Sequence, residues 1–251
     1  MFKKILRTLL FILLGVLVLI GATLLIPKAG AQQQLTPSEI MPVRQFDSLY
    51  WAMQREILQK EFGERKTLLP GFELQCLLAL RHFPELKDAR IRFAYQKALI
   101  PLASRPAFFS LFGKRSGREY RIIVSNNSGQ AMEPILLKNL PFDAQVAILA
   151  HELAHAAHYE QLSTWGLFKF GLLYLGSANF RARHERSTDE RVIYHALGWQ
   201  LFEYARYVRT APDAVSQYEA MQEFLDSTYL TPSDILEALG RVPIYGLSAP
   251  Y

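Results

Sequence analysis

The sequence predicts an α+β chain, mainly helical with a small β-sheet, preceded by one N-terminal transmembrane helix. Three observations predict it. Apolar residues recur at helical spacing over most of the chain. Strand and hairpin patterns are confined to Arg90 to Tyr95 and to Phe108 to Asn126. Leu9 to Ile26 runs eighteen residues without a charge, just long enough to span a membrane. At 251 residues the chain has room for one substantial domain and an appendage. The expected division is a membrane anchor or signal peptide over 1–31, a linker over 32–45 and a domain over 46–251.

The N-terminal segment is basic. Lys3, Lys4, Arg7 and Lys28 account for four of the 28 Lys and Arg, and the other 24 face 23 acids. The rest of the chain is therefore nearly neutral. The excess of positive charge argues for membrane orientation and not for a nucleic-acid partner. Positive charge before Leu9 predicts a cytoplasmic N-terminus and an extracytoplasmic remainder, periplasmic in a bacterium. A secreted protein is the alternative, because Ala29-Gly30-Ala31 is an acceptable cleavage site for a signal peptidase. The length of the apolar stretch and Lys28 just before that site favour the anchor. The single Cys76 lies in an apolar helical run, where core packing is its default role.

Taking the elements in order, Gln32 to Arg44 carries glutamines and prolines and reads as the linker. Phe46 to Phe62 places Leu49, Met53, Ile57 and Leu58 on one helical face. Pro70 opens a second helix that ends before Pro84. Arg90 to Tyr95 alternates polar and apolar, as a half-buried strand does. Phe108 to Phe112 and Glu119 to Asn126 flank Gly113-Lys114-Arg115-Ser116-Gly117 and read as a β-hairpin with a basic tip. Asn139-Leu140-Pro141-Phe142-Asp143 marks a helix start, with proline tolerated in the first turn. Leu162 to Leu175 is apolar and aromatic with one charge, Lys169, and is too short to span a bilayer. It is either a buried helical hairpin or an apolar lobe at the lipid surface. A further helix runs from Glu185 through Asp189, Val192, Ile193 and Ala196. Thr231-Pro232-Ser233-Asp234 starts the last one.

Chemistry concentrates in His151-Glu152-Leu153-Ala154-His155. Residues four apart share one helical face, so both imidazoles can bind one Zn²⁺. Glu152 falls beside the metal, placed to take a proton from a water that the metal activates. A catalytic zinc needs a third protein ligand. His158 lies on the same face but about 10 Å further along a straight helix, which makes it an outer or cleft residue. Glu185 is the better ligand. It sits one turn from Asp189 on an apolar face, where carboxylates are costly unless paired or metal-bound. Asp189 would then accept from a histidine ligand.

At these residues the chain resembles the gluzincin metallopeptidases, and within them the CAAX prenyl protease and HtpX-like membrane peptidases. That group carries His-Glu-x-x-His on one helix and Glu-x-x-x-Asp on a later one, matched here by His151, Glu152, His155, Glu185 and Asp189. Ile122 to Asn126 resembles the strand beside the cleft, and Leu140 to Gln145 the approach to the zinc helix. The resemblance covers roughly residues 90–200. It implies a zincin-like domain, one zinc per chain and hydrolysis of a polypeptide substrate with Glu152 as general base. A strand near Ile122 to Asn126 would pair with extended substrate. Tyr218, Tyr229, Arg206 and His195 remain open as donors to the reacting carbonyl oxygen. The alternative is a zinc-containing protein that binds polypeptides at the membrane without cleaving them.

The expected topology is directly measurable. A reporter active only in the cytoplasm, fused after Tyr251, is expected to stay silent, and the intact chain to remain in washed membranes. Quantitative release with a new N-terminus at Gln32 would identify a cleaved signal peptide instead.

Overall fold

In the computed structural model, residues 40–98, 100–127, 130–210 and 222–246 are described, and all of them fall within one unit, Pro37–Tyr251. The anchor expected over 1–31 lies outside the described residues. Among the described residues, no helix is long and apolar enough to cross a membrane. The chain packs onto the domain from Pro42, inside the stretch expected to be linker. Pro42 is buried, and the Val43 carbonyl accepts from Gln200 Nε2 at 3.1 Å.

The expected helix over Phe46 to Phe62 divides into α1 (Ser48–Met53) and α2 (Arg55–Phe62), with Gln54 at the break. The Asp47 carboxylate caps α1 by accepting from the Leu49 and Tyr50 amides. Of the four apolar residues on the predicted face only Leu58 is buried; Leu49, Met53 and Ile57 are exposed. α3 (Glu73–Arg81) follows Pro70 and buries Cys76 to Leu80 completely. Burial pushes the Cys76 thiol up to about 12, so it stays a protonated packing group.

The sheet has four strands in the order β1-β2-β4-β3. They are β1 (Lys66–Thr67), β2 (Arg90–Tyr95), β3 (Leu102–Pro106) and β4 (Glu119–Val124). β1, β2 and β4 are parallel, and β3 runs antiparallel to β4. In β2 the alternation sends Ile91 and Phe93 inward and Arg90 and Arg92 outward. The hairpin forms one segment earlier than its aromatic pattern suggests. Leu102 pairs with Val124 and Pro106 with Tyr120, while Phe108–Phe112 folds as a 3-10 turn. Ser110 explains the difference. Its hydroxyl donates to the Ala107 carbonyl and accepts from the Glu119 amide, holding the turn against an extended path. A second correction follows from strand order. β4, which contains Ile122 to Val124, is paired on both sides and cannot accept a further strand. The edges are β1 and β3, and β3, where Pro106 is tolerated, is the one that lines the cleft.

α4 (Phe142–Gln161) is the axis of the fold, with 16 of its 20 residues buried, as expected for a helix covered on every side. α3 and β3 pack on it, as do two helices introduced next. Six alanines, Ala144 to Ala157, keep its surface low enough for these neighbours to approach. At its start Asp143 accepts from the Phe46 amide at 3.1 Å and from Gln200 Nε2 at 3.0 Å. The chain continues through α5 (Thr164–Gly176), α6 (Ala178–Val192) and α7 (Gly198–Thr210). A helical stretch over 222–228 precedes α8 (Pro232–Arg241) and a last turn, Pro243–Gly246. α8 starts where expected, with Thr231 and Asp234 forming a reciprocal cap.

The helix predicted to run through Ala196 instead stops at Val192. The chain turns over Ile193–Leu197, with Ala196 at φ 64°. Tyr245 compensates for the break. Its hydroxyl accepts from the Gly198 amide and donates to the Ile193 carbonyl, both at 2.7 Å. A Cβ on Gly198 would meet the Leu239 side chain at 2.4 Å, so close packing requires glycine here. Tyr245→Phe leaves two buried backbone groups unpaired and is expected to lower stability by about 1–3 kcal/mol. The measurement is the urea midpoint at unchanged slope; an unmoved midpoint would sink this account of the turn.

Candidate metal centre

The site is built where α4 and α6 cross. α4 presents His151 and His155 one turn apart, and α6 presents Glu185 and Asp189 one turn apart, as their spacing of four requires. α5 lies between the two helices in sequence. Ser163 and Ser177 cap α5 and α6, accepting from the Gly166 and Phe180 amides, and so define the two turns that fold α6 back onto α4.

The ligand atoms of His151, His155 and Glu185 all lie within 4.8 Å of one another, and all three residues are buried. His151 Nε2 is 3.0 Å and His155 Nε2 3.4 Å from Glu185 Oε2. Three groups converging through two imidazole nitrogens and one carboxylate oxygen can hold a metal ion. The nitrogens facing away from that point are also engaged. His151 Nδ1 lies 2.9 Å from Asp189 Oδ1, and Asp189 Oδ2 accepts from the Leu230 amide at 3.0 Å. His155 Nδ1 lies 3.0 Å from His184 Nε2. The Tyr174 hydroxyl donates to Glu185 Oε1 at 2.6 Å. Each candidate ligand therefore has its own support, which sets its orientation before any ion arrives.

Glu152 is the exception. Its Oε2 is buried and has no hydrogen-bond partner among the described residues. Burial raises its pKa, against the nearby histidines, which act to lower it. A buried carboxylate oxygen with no partner among the described residues, next to a donor set of this type, fits a centre that takes a metal ion and water.

The charges follow from the contacts. Burial alone would discharge His151, but its hydrogen bonds to Asp189 and Glu185 outweigh burial and raise its pKa. Burial would likewise raise Glu185, yet the two histidines hold it well below the usual carboxylate range. His184, buried among other imidazoles, is pushed down to about 2 and stays neutral.

These residues open onto a cleft of about 610 Å³. Its floor is His151, Glu152, His155, Glu185 and Tyr229, with β3 along one wall and Phe168 and Tyr174 on the other. A second cavity of about 370 Å³ meets the first at His151, Glu152 and Tyr229. Apolar side chains, including Ile148, Leu201, Val208 and Ile235, wall it.

His158 stands apart from the three candidate ligands. It packs on Phe170 and His184, with ring centroids 5.3 and 4.9 Å away, and burial lowers it to about 4. Of the donors left open by the sequence, Tyr229 alone among the described candidates lines the cleft, its ring 5.9 Å from that of His151. Arg206 pairs with Glu203 on an exposed surface. His195 is held by Glu85 and the Arg191 carbonyl and stacks on Phe83. Tyr218 lies outside the described residues. Sequence reasoning gave His184 and Tyr174 no role at the site. No spacing signal could have found them, because they reach the site only through the crossing of α5 and α6 with α4.

Comparison with known proteins finds no matching family model, no matching curated protein and no matching solved structure.

Metal analysis of the purified chain is expected to find one equivalent of a divalent ion. Glu185→Ala should remove most of it, and His184→Ala should weaken retention by roughly 10–100-fold, as loss of a supporting partner does. Full metal content in Glu185→Ala together with its loss in His158→Ala would overturn the ligand assignment.

Proposed function

We propose that this chain is a zinc-dependent endopeptidase, anchored at the membrane by its N-terminal apolar segment, with the catalytic domain on the extracytoplasmic side. One observation carries the reading: two histidines and a glutamate converge in a cleft beside a buried glutamate, one oxygen of which has no partner among the described residues. Two imidazoles and one carboxylate suit zinc, where an all-oxygen set would suit magnesium or calcium. Zinc, when bound, supplies a Lewis acid and lowers the pKa of water toward about 7.

The chain's own residues do the rest. Water adds to the scissile carbonyl carbon while Glu152 accepts its proton. Glu152 then delivers that proton to the amine nitrogen as the carbon–nitrogen bond breaks, and so ends the cycle ionised. Asp189 and His184 keep the imidazoles of His151 and His155 in one orientation. Tyr229 is the donor best placed for the developing charge on the carbonyl oxygen. The free edge of β3 along the cleft offers main-chain pairing to an extended polypeptide.

The zinc-containing, polypeptide-binding reading keeps the same ligands and differs only in the role of Glu152. Glu152→Gln keeps the shape of the residue and removes its basicity. It is expected to leave zinc content and folding close to wild type. Hydrolysis of an unstructured polypeptide should fall by at least the ~10²–10⁴-fold attributed to acid–base catalysis. Wild-type turnover should stop with a chelator and return with added zinc. Equal turnover in both proteins removes the mechanism, and no turnover in either at full zinc content favours the binding protein.

A further inference from the structure

We infer that the mouth of the cleft is a docking surface for the face of a lipid bilayer, independent of the N-terminal segment and of any hydrolytic activity. The surface has two parts. The first is the Phe108–Phe112 turn, where Phe109 is 88% and Phe112 68% exposed. The second is the outer face of α5. Trp165, Phe168, Leu172 and Leu175 fall within an arc of about 80° at 100° per residue, and Trp165 and Leu175 are 72% and 81% exposed. A soluble domain seldom spends so many large apolar side chains on contact with water.

The two parts form one lip. Arg118, itself buried, donates to the Leu162 carbonyl at 2.6 Å and to Thr164 Oγ1 at 3.0 Å. Thr164 Oγ1 donates in turn to the Leu111 carbonyl at 3.1 Å. The turn is thus tied to the start of α5. Phe109 from one part and Phe168 and Leu175 from the other line the same cleft.

Three facts select a bilayer as the occupant. Phe112, Trp165 and Leu172 are exposed but do not line the cleft, so a polypeptide bound there would leave them uncovered. A planar surface covers both sets at once. Charge selects the same partner. Gln96 to Arg118 and Gln161 to His184 hold eight Lys and Arg and no Asp or Glu; Arg118 is spent inside the lip and Arg115 pairs with Glu160, which leaves six. Basic residues around a Trp- and Phe-bearing apolar face match the anionic headgroup layer. A second copy docking through the same face would set like charges against each other. Finally, α5 is 13 residues long, about 20 Å at 1.5 Å per residue, too short to span a bilayer but suited to lie along its surface. Docking in this way would present the cleft to polypeptide segments emerging from the lipid surface.

The test uses the full chain mixed with phosphatidylcholine vesicles, with and without phosphatidylglycerol. Phe109→Cys, Leu175→Cys and, as a control outside the lip, Leu236→Cys each carry an environment-sensitive thiol label; native Cys76 is buried and unreactive. A lipid-borne nitroxide is expected to quench the labels at 109 and 175 and to spare that at 236, and aqueous iodide to do the reverse. Lys114→Glu combined with Lys169→Glu should weaken docking on anionic vesicles by roughly fivefold or more per charge. Flotation is measured separately. A chain that floats with its labels at 109 and 175 open to iodide is held by residues before Ile40, and the lip is not a docking surface. Protection of a label at Leu172→Cys, outside the cleft, by a lipid-free unstructured polypeptide, or disulfide formation between two Leu175→Cys copies, would equally overturn the inference.

Discussion

The arrangement of this domain depends on a buried polar chain running from the Leu230 amide through Asp189 to His151 and on to Glu185. Each of these side chains is at least 95% buried. A charge in such a place is tolerated only when every lone pair and proton is matched. Asp189 meets that condition by spending one oxygen on α4 and the other on the backbone that leads into α8. One carboxylate thus sets the crossing of α4 and α6 and the approach of the C-terminal segment. Removing one partner from a buried pair of this kind typically costs about 3–5 kcal/mol, because the other charge is stranded. The geometry that positions the candidate ligands is the same geometry that holds the layers together.

Around that crossing the tasks are divided. Glu185 has one oxygen toward the imidazoles and the other on Tyr174, which ties α5 to the centre. α5 therefore works on two sides. Its inner face brings Phe170 and Tyr174 to the cleft, and its outer face carries Trp165 and Leu172 to the surface. The sheet contributes an edge. Because β4 is paired on both sides, β3 is the strand left open along the cleft. The protein has placed its short, proline-ended strand there, a form that resists unwanted pairing with other sheets.

Much of the local structure is legible in the sequence because it is decided within a few residues. The spacing of His151, His155, Glu185 and Asp189 assigns each pair to one helical face. Alternation alone identifies β2, and Thr231 with Asp234 marks the start of α8. The failures are also physical. Phe108 to Phe112 has strand-like composition, but the local bonds of Ser110 favour a turn. The apolar spacing of Leu49, Met53 and Ile57 promised a buried face, and periodicity does not tell a face toward the core from a face toward solvent. Nothing near Ala196 announces a break in the helix, since the groups that repair it come from Tyr245, far along the chain.

By itself, then, the sequence determined most of the helices, the strand β2, the two motif pairs and the residue types able to hold a metal ion. These follow from helical and strand periods and from ligand chemistry, which operate over one or two turns. The tertiary structure alone decided that the pairs face each other, that His184 and Tyr174 support them, that Tyr229 reaches the cleft and that β3 is the open edge along it. It also decided that the apolar face of α5 looks outward. Each of these depends on contacts between residues distant in the chain, and their energies come from burial and polar matching across elements, which no local pattern encodes.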